Sequence, residues 1–204
     1  KKWLNKTKQI GINGLIDKKI EDIIFKTLDQ AGYITTSNDK IVKNGIKRVI
    51  HLLEDFSFVI VISVVFGKLE AGILMEFLFF LLRIYAGGYH AKDEVNCKIL
   101  TYGSIVGGIF FVSFLHVPLI WLNVLTGLGC LVIYIFAPVE NNKRILGKKE
   151  KREFQKKIRI IVIGVVIVAV IVNLMHNEEF LKAITYDVII ISIGLAVQKR
   201  LETE

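Results

Sequence analysis

The chain has 204 residues, of which 53% are hydrophobic and 23% are charged, and its formal net charge is +8. This apolar composition excludes an intrinsically disordered protein, and the presence of only two cysteines excludes a disulfide-stapled fold. The apolar residues come in long blocks, whereas a soluble domain spaces them at the intervals of a packed core.

Residues 1–48 are basic and predict an amphipathic helix that lies on the membrane surface or on the protein. Gly32 and the polar stretch 35–38 are expected to end it. Because the segment lacks a compact apolar region, we expect no cleavable signal peptide. Ligand binding is the alternative role for this helix. Its apolar face consists of Leu15, Ile16, Ile20, Ile23, Ile24 and Leu28.

Six apolar blocks follow, each close to the ~20 residues that a helix needs to cross the hydrocarbon core of a bilayer. A backbone in lipid must satisfy its own hydrogen bonds, so these blocks predict helices. The first two contain acidic residues and are the weakest candidate spans. The blocks are 49–66, 69–86, 99–116, 117–137, 159–175 and 180–197.

The basic residues predict the orientation. If each block spans once, all Lys and Arg except Lys68 and Lys182 fall at one side of the membrane. The positive-inside rule then puts both termini in the cytoplasm of a multi-pass cell-membrane protein. The same basic surface suits the anionic lipids of the inner leaflet. No nucleic-acid-binding motif accompanies the charge, so we expect no nucleic-acid partner.

Several polar residues lie inside the apolar blocks, where they are energetically expensive. Glu76 and Arg83 are seven residues apart in the second block and favour a polar cavity there. For Asn173 and Asp187, in the last two blocks, we favour hydrogen bonds between helices.

The candidate catalytic segment is 83–98, between the second and third blocks. Gly87 and Gly88 are expected to break the helix and to let the backbone approach a ligand. His90 and Cys97 follow, and they can form a catalytic pair only if the chain between them folds back. Asp93 is a candidate helix cap.

Such a cap would put Cys97 in the first turn of the third block's helix, whose positive end favours a thiolate. Asp93, Glu94 or Glu76 is a candidate for orienting the His90 imidazole, and the sequence leaves the three open. Cys130 lies among apolar residues and is predicted to be an inert packing residue. No cluster has the spacing of a zinc site, so we expect no metal and no cofactor.

The segment RIYAGGYHAKDEVNC resembles the AgrB family, the accessory gene regulator membrane endopeptidases of Gram-positive bacteria. Arg83, Gly88, His90 and Cys97 carry the pattern R-x4-G-x-H-x6-C. A second similarity, Ala137-Pro138 followed by Asn141 and Lys143, is looser, and we assign no chemistry to it.

The resemblance implies a cysteine endopeptidase that cleaves the C-terminal tail of an AgrD-like propeptide. Cys97 is then the nucleophile, which forms a thioester, and His90 is the general base. Cyclisation gives a thiolactone or lactone autoinducing peptide for quorum sensing. The resemblance also implies a homodimer. Arg83, Gly87, Gly88, Glu76 and Asp93 are assigned to substrate binding or structural support.

We therefore predict an all-α polytopic membrane protein with about six hydrophobic helices and an N-terminal amphipathic helix. The alternatives are a small membrane transporter that exports a peptide, and a non-catalytic membrane scaffold. We treat 1–204 as a single integral membrane domain. It begins with a cytoplasmic amphipathic region, 1–48, and ends with a cytoplasmic tail, 198–204. The membrane helices lie within 49–197, together with the catalytic segment 83–98 and the basic loop 139–159.

Overall fold

The computed structural model describes residues 12–35, 39–87, 94–139 and 147–203, and seven α-helices account for most of them. The predicted all-α class, with an N-terminal helix followed by six more, is confirmed. The helices are α1 (Ile12–Gln30), α2 (Asp39–Val65), α3 (Leu69–Ala86), α4 (Glu94–Phe114), α5 (Leu119–Phe136), α6 (Lys148–Leu174) and α7 (Glu178–Thr203).

The chain divides into two compact units, residues 1–57 and residues 58–204. In the first unit, α1 ends where the sequence predicts, because the backbone of Gly32 takes a φ of 78° that suits glycine. Its apolar face is exposed at Ile20, Ile23 and Ile24, as expected of a helix that contacts lipid. The role of this helix at the membrane surface stays a prediction.

The second unit is built around α7, which packs against α3, α4, α5 and α6. Its most extensive contact is with α5, where Gly129 faces Val188 and the Ser192 hydroxyl donates a hydrogen bond of 3.0 Å to the Gly129 carbonyl. A glycine at this point lets the two backbones come close, as is common between membrane helices. One apolar cluster, which includes Leu82, Leu122, Ile133, Ile158, Leu181 and Leu195, fills the centre of the unit.

Four of the described helices are long and apolar enough to cross a membrane: Val95–Phe114, Leu119–Phe136, Lys149–Leu174 and Glu178–Arg200. The chain is thus a membrane protein with at least four candidate spans. Helices α2 and α3 are not among these candidate spans, because each carries too many charged residues. This agrees with the prediction that the first two apolar blocks are the weakest spans.

The interhelical hydrogen bond predicted for Asn173 is confirmed, since the Asn123 amide of α5 donates to the Asn173 side-chain oxygen of α6 at 3.2 Å. For Asp187 the prediction stays a prediction, and one of its oxygens, Oδ2, is buried and has no partner among the described residues.

The second unit has two distinct ends. At the first, which we call the turn end, the connections 66–68, 115–118 and 175–177 surround an open cavity of about 1050 Å³. The ion pair between Lys68 and Glu179 lies there. At the other, the Cys97 end, the C-terminus of α3, the N-terminus of α4 and residues 137–139 come together. The candidate site belongs to the Cys97 end.

Candidate functional site

Cys97 lies in the first turn of α4, because that helix begins at Glu94. The sequence predicted this position. The side chain is half-buried, and the Thr101 hydroxyl one turn later donates a hydrogen bond of 3.1 Å to the Cys97 carbonyl. A thiol in the first turn lies at the positive end of the helix dipole.

Arg83 lies in the last turn of α3 and interacts electrostatically with Cys97 across the gap between α3 and α4. The guanidinium is largely withdrawn from solvent, so its charge acts through a medium that screens less than water does. A cation near the sulfur is typical of the surroundings of reactive cysteines.

Gly87 ends α3 and holds the chain in place immediately before residues 88–93. Its φ is 77°, a left-handed conformation that side chains rarely adopt. It forms a parallel backbone bridge with Val139, whose amide donates to the Ala86 carbonyl at 3.1 Å. A Cβ added at Gly87 would collide with the Val139 carbonyl oxygen. The predicted helix break at Gly87 is confirmed, and two independent constraints require glycine there.

The segment 137–139 is the part of the site that sequence reasoning missed. The sequence analysis includes the Ala137-Pro138 motif, but nothing in the sequence places that motif beside Gly87. All three residues of the segment are buried, and Val139 holds Gly87 at the end of α3. A signal was present, since a conformationally restricted Ala-Pro dipeptide directly after an apolar helix indicates a rigid turn.

Basic residues of α6 also reach the Cys97 end. Tyr85, two residues after Arg83, stacks on Phe154 of α6 with ring centroids 5.6 Å apart. The ammonium of Lys157 lies 5.7 Å from the centre of the Tyr85 ring. The end of the predicted basic loop 139–159 thus lies close to the end of α3, and it adds positive charge to the surroundings of the site.

A small polar pocket lies between α3, α4 and α7, and we call it the acidic pocket. Glu76 from α3 and Asp187 from α7 interact electrostatically within it, and both side chains are almost fully buried. The polar cavity predicted at the second block is therefore present at Glu76. Arg83 is not among the lining residues, which are Met75, Glu76, Phe79, Thr101, Ser104, Ile105, Tyr186 and Asp187.

Gly88, His90 and Asp93 lie outside the described residues, so the pairing of His90 with Cys97 stays a prediction. Cys130 is only 3% exposed inside the core of the second unit, which confirms its prediction as a packing residue. Within the described ranges, no group of three His, Cys, Asp or Glu side chains is placed to hold a metal ion.

Comparison with known proteins gives consistent matches. The model of the family described as accessory gene regulator B matches residues 18–195. The accessory gene regulator protein B of Staphylococcus saprophyticus is 28% identical over 56% of this chain and 59% of its own length, so the alignment spans less than two thirds of that relative. An AgrB-like protein of Clostridium perfringens strain SM101 is 24% identical over 78% of each chain. No solved structure matches.

Proposed function

The chain belongs to the accessory gene regulator B family, and from that premise we propose that it is a membrane cysteine endopeptidase acting on an AgrD-type propeptide. Membership of the family supports a role in processing the autoinducer of an accessory gene regulator system. The observation that carries the finer proposal is the position of Cys97, in the first turn of α4 and beside Arg83.

In this proposal the Cys97 thiolate attacks the carbonyl carbon of the scissile peptide bond. The C–N bond breaks, the leaving amine takes a proton from the His90 imidazolium, and a thioester joins the propeptide to Cys97. The neutral His90 then takes the proton of a thiol within the propeptide, and the resulting thiolate attacks the thioester carbonyl. This second transfer releases the Cys97 thiolate and closes a thiolactone ring, and a hydroxyl in the same position gives a lactone.

Water would hydrolyse the thioester before the ring closes, so the site has to be shielded. The half-buried position of Cys97 next to an apolar bundle supports such shielding. Backbone amides at the start of α4 are the donors that we propose for the oxyanion of the tetrahedral intermediate.

Positive charge near the site supports an acidic substrate tail. Arg83, Lys157 and the exposed basic residues of the first turns of α6 lie toward the Cys97 end, which we assign to the cytoplasmic side with both termini. A basic surface raises the local concentration of an acidic peptide and accelerates its association. We also propose that the working form is a homodimer.

The test uses the purified full chain in liposomes with synthetic candidate propeptides. We expect Cys97→Ala and His90→Ala to abolish cleavage while the protein stays inserted, and Cys130→Ala to cleave at the wild-type rate. Mass spectrometry of the wild-type protein quenched in acid should find the N-terminal peptide fragment attached to Cys97 as a thioester. Cleavage that survives both Cys97→Ala and His90→Ala contradicts the proposal.

A second candidate function, export of a peptide, is favoured by the cavity of about 1050 Å³ at the turn end, which is wide enough for a small peptide ring. It predicts that Cys97→Ala still moves a supplied cyclic peptide across liposome membranes. Absence of flux in both wild-type and Cys97→Ala liposomes excludes it without affecting the endopeptidase proposal.

A further inference from the structure

Lys182 carries an inference that is independent of the endopeptidase proposal. It is one of the two basic residues that the orientation argument leaves at the other side of the membrane from the remaining Lys and Arg. It lies in the candidate span of α7, and it is only 6% exposed. A lysine in such a position is energetically expensive, and in membrane proteins it pairs with an acidic group or faces a water-filled cavity. The surroundings of its ammonium therefore indicate its role.

Within the described ranges, no carboxylate forms an ion pair with Lys182. Glu178 precedes it by four residues on α7, which is the spacing of a helical ion pair, but Glu178 is exposed and forms none. Glu179 pairs instead with Lys68. The ammonium is not sealed in the core either, because the fully enclosed polar atoms without a partner belong to other described side chains. It is therefore accessible from the cavity at the turn end, which Lys182 lines.

The wall of this cavity combines groups that favour an anion with an apolar surface. The Asn177 side-chain oxygen accepts a hydrogen bond of 3.1 Å from the Phe180 amide, which leaves the NH₂ group of Asn177 as a donor. The positive end of the α7 dipole also favours negative charge here. Val64, Leu69 and Phe180 supply apolar surface in the same wall. The cavity, of about 1050 Å³, thus suits a ligand with an anionic group and an apolar body.

Three carboxylates also line the cavity, and they limit the charge that its ligand can carry. Glu70, Glu178 and Glu179 are exposed, whereas Lys182 is buried. A lysine ammonium is a single point charge, which one carboxylate balances. An anion with two or more charges would be repelled by the exposed carboxylates. The arrangement therefore favours a ligand with one negative charge.

We propose that the cavity at the turn end binds the carboxylate of an apolar ligand, with Lys182 as the counter-ion. Two sources supply this chemistry, the carboxyl terminus of a short apolar peptide and a short fatty acid. The Lys182 ammonium and the Asn177 NH₂ group hold the carboxylate, and the apolar body lies against Leu69 and Phe180. The inference concerns binding, so it does not depend on whether the chain cleaves or exports a peptide.

The experiment titrates the purified full chain in lipid nanodiscs and measures binding by isothermal titration calorimetry, with empty nanodiscs as the blank. The probes are trileucine and hexanoate, each compared with the amide that removes its carboxylate, and inorganic phosphate. The variant is Lys182→Met, which removes the charge and keeps an unbranched side chain. Lys156→Met is the matched control, because Lys156 is an exposed lysine of α6.

If a peptide terminus is the ligand, trileucine binds wild type and Lys156→Met at least about tenfold more tightly than its amide does. If a fatty acid is the ligand, hexanoate shows that preference over hexanamide and trileucine does not. In either case Lys182→Met should lose the preference for the carboxylate.

The proposal is overturned if neither carboxylate binds wild type, or if each binds no more tightly than its amide. It is also overturned if phosphate binds more tightly than both, or if Lys182→Met keeps the preference. The comparison of acid with amide needs only the wild-type chain, so it decides the question even if Lys182→Met does not fold.

Discussion

Gly87 and Val139 form a parallel backbone bridge that joins the end of α3 to the segment following α5. The contact connects two stretches of chain that are about fifty residues apart in sequence. Only six residues separate Gly87 from the start of α4, and His90 is one of them. We regard this contact as the anchor of the proposed catalytic loop.

Replacing Gly87 with alanine should therefore impair peptide cleavage without removing any reactive group. The left-handed backbone costs a non-glycine residue about 1–2 kcal/mol, and the new Cβ also collides with the Val139 carbonyl. We expect the cleavage rate to fall at least about tenfold. The matched control is Gly103→Ala in α4, where a Cβ meets open space. Equal cleavage rates for Gly87→Ala, Gly103→Ala and wild type would show that the Gly87–Val139 bridge does not affect cleavage.

Removing the charge of Arg83 should slow the reaction of Cys97 with iodoacetamide. Because the guanidinium interacts electrostatically with Cys97, we expect Arg83→Gln to lower the alkylation rate of Cys97 at pH 7 about threefold to tenfold. Arg83→Lys keeps a positive charge and should therefore keep part of the alkylation rate. Mass spectrometry measures Cys97 and the buried Cys130 in the same sample. Arg159→Gln, which removes an exposed arginine of α6, serves as the control and should leave the rate unchanged. An unchanged rate in Arg83→Gln refutes the electrostatic role.

The close contact of α5 and α7 predicts a stability difference between two glycines of one helix. A Cβ at Gly129 collides with the side chain of buried Val188, whereas a Cβ at Gly127 meets nothing. Gly129→Ala should lower the free energy of unfolding by about 1–3 kcal/mol, and Gly127→Ala should not lower it. Unfolding by sodium dodecyl sulfate in mixed micelles measures both. If Gly127→Ala destabilises the protein more than Gly129→Ala does, α5 and α7 do not pack as described.

The hydrogen bond between Asn123 and Asn173 should contribute modestly to stability. Bonds of this kind between membrane helices are worth about 0.6 kcal/mol on average. A double-mutant cycle with Asn123→Ala and Asn173→Ala should give a coupling energy of about that size. A cycle between Asn123 and the distant Ser192 should give none. Additive effects at Asn123 and Asn173 would mean that the bond does not form.

The sequence predicted the helices more readily than the contacts between them. Long apolar blocks must become helices in lipid, so hydropathy was enough to predict the positions of α4 to α7. The helix ends at Gly32 and Gly87 were predicted from the conformational freedom of glycine. The position of Cys97 in the first turn followed from a single expected cap. These are local properties, which depend on residues within one or two turns of each other.

Relationships between distant segments were not accessible in the same way. Hydropathy does not tell which face of α7 meets α3, so the sequence did not predict that Asp187 shares a pocket with Glu76. The contact of Gly87 with Val139 was missed for the same reason. Thr101 was within reach of sequence reasoning, because residues four apart lie on one face of a helix and it follows Cys97 at that interval.

The packing of α3 against α7 also determines the order in which the protein can be assembled during its synthesis. Each charged residue in a span costs roughly 2.5–3.5 kcal/mol at the centre of a bilayer, and α3 carries Glu70, Glu76 and Arg83. The helix that shelters Glu76 begins at Glu178, so at 5–20 residues per second it leaves the ribosome roughly 5–20 s after α3. During that interval, an insertase or the translocon must retain α3. A chain that stops before α7 should therefore be recognised by membrane quality control and degraded.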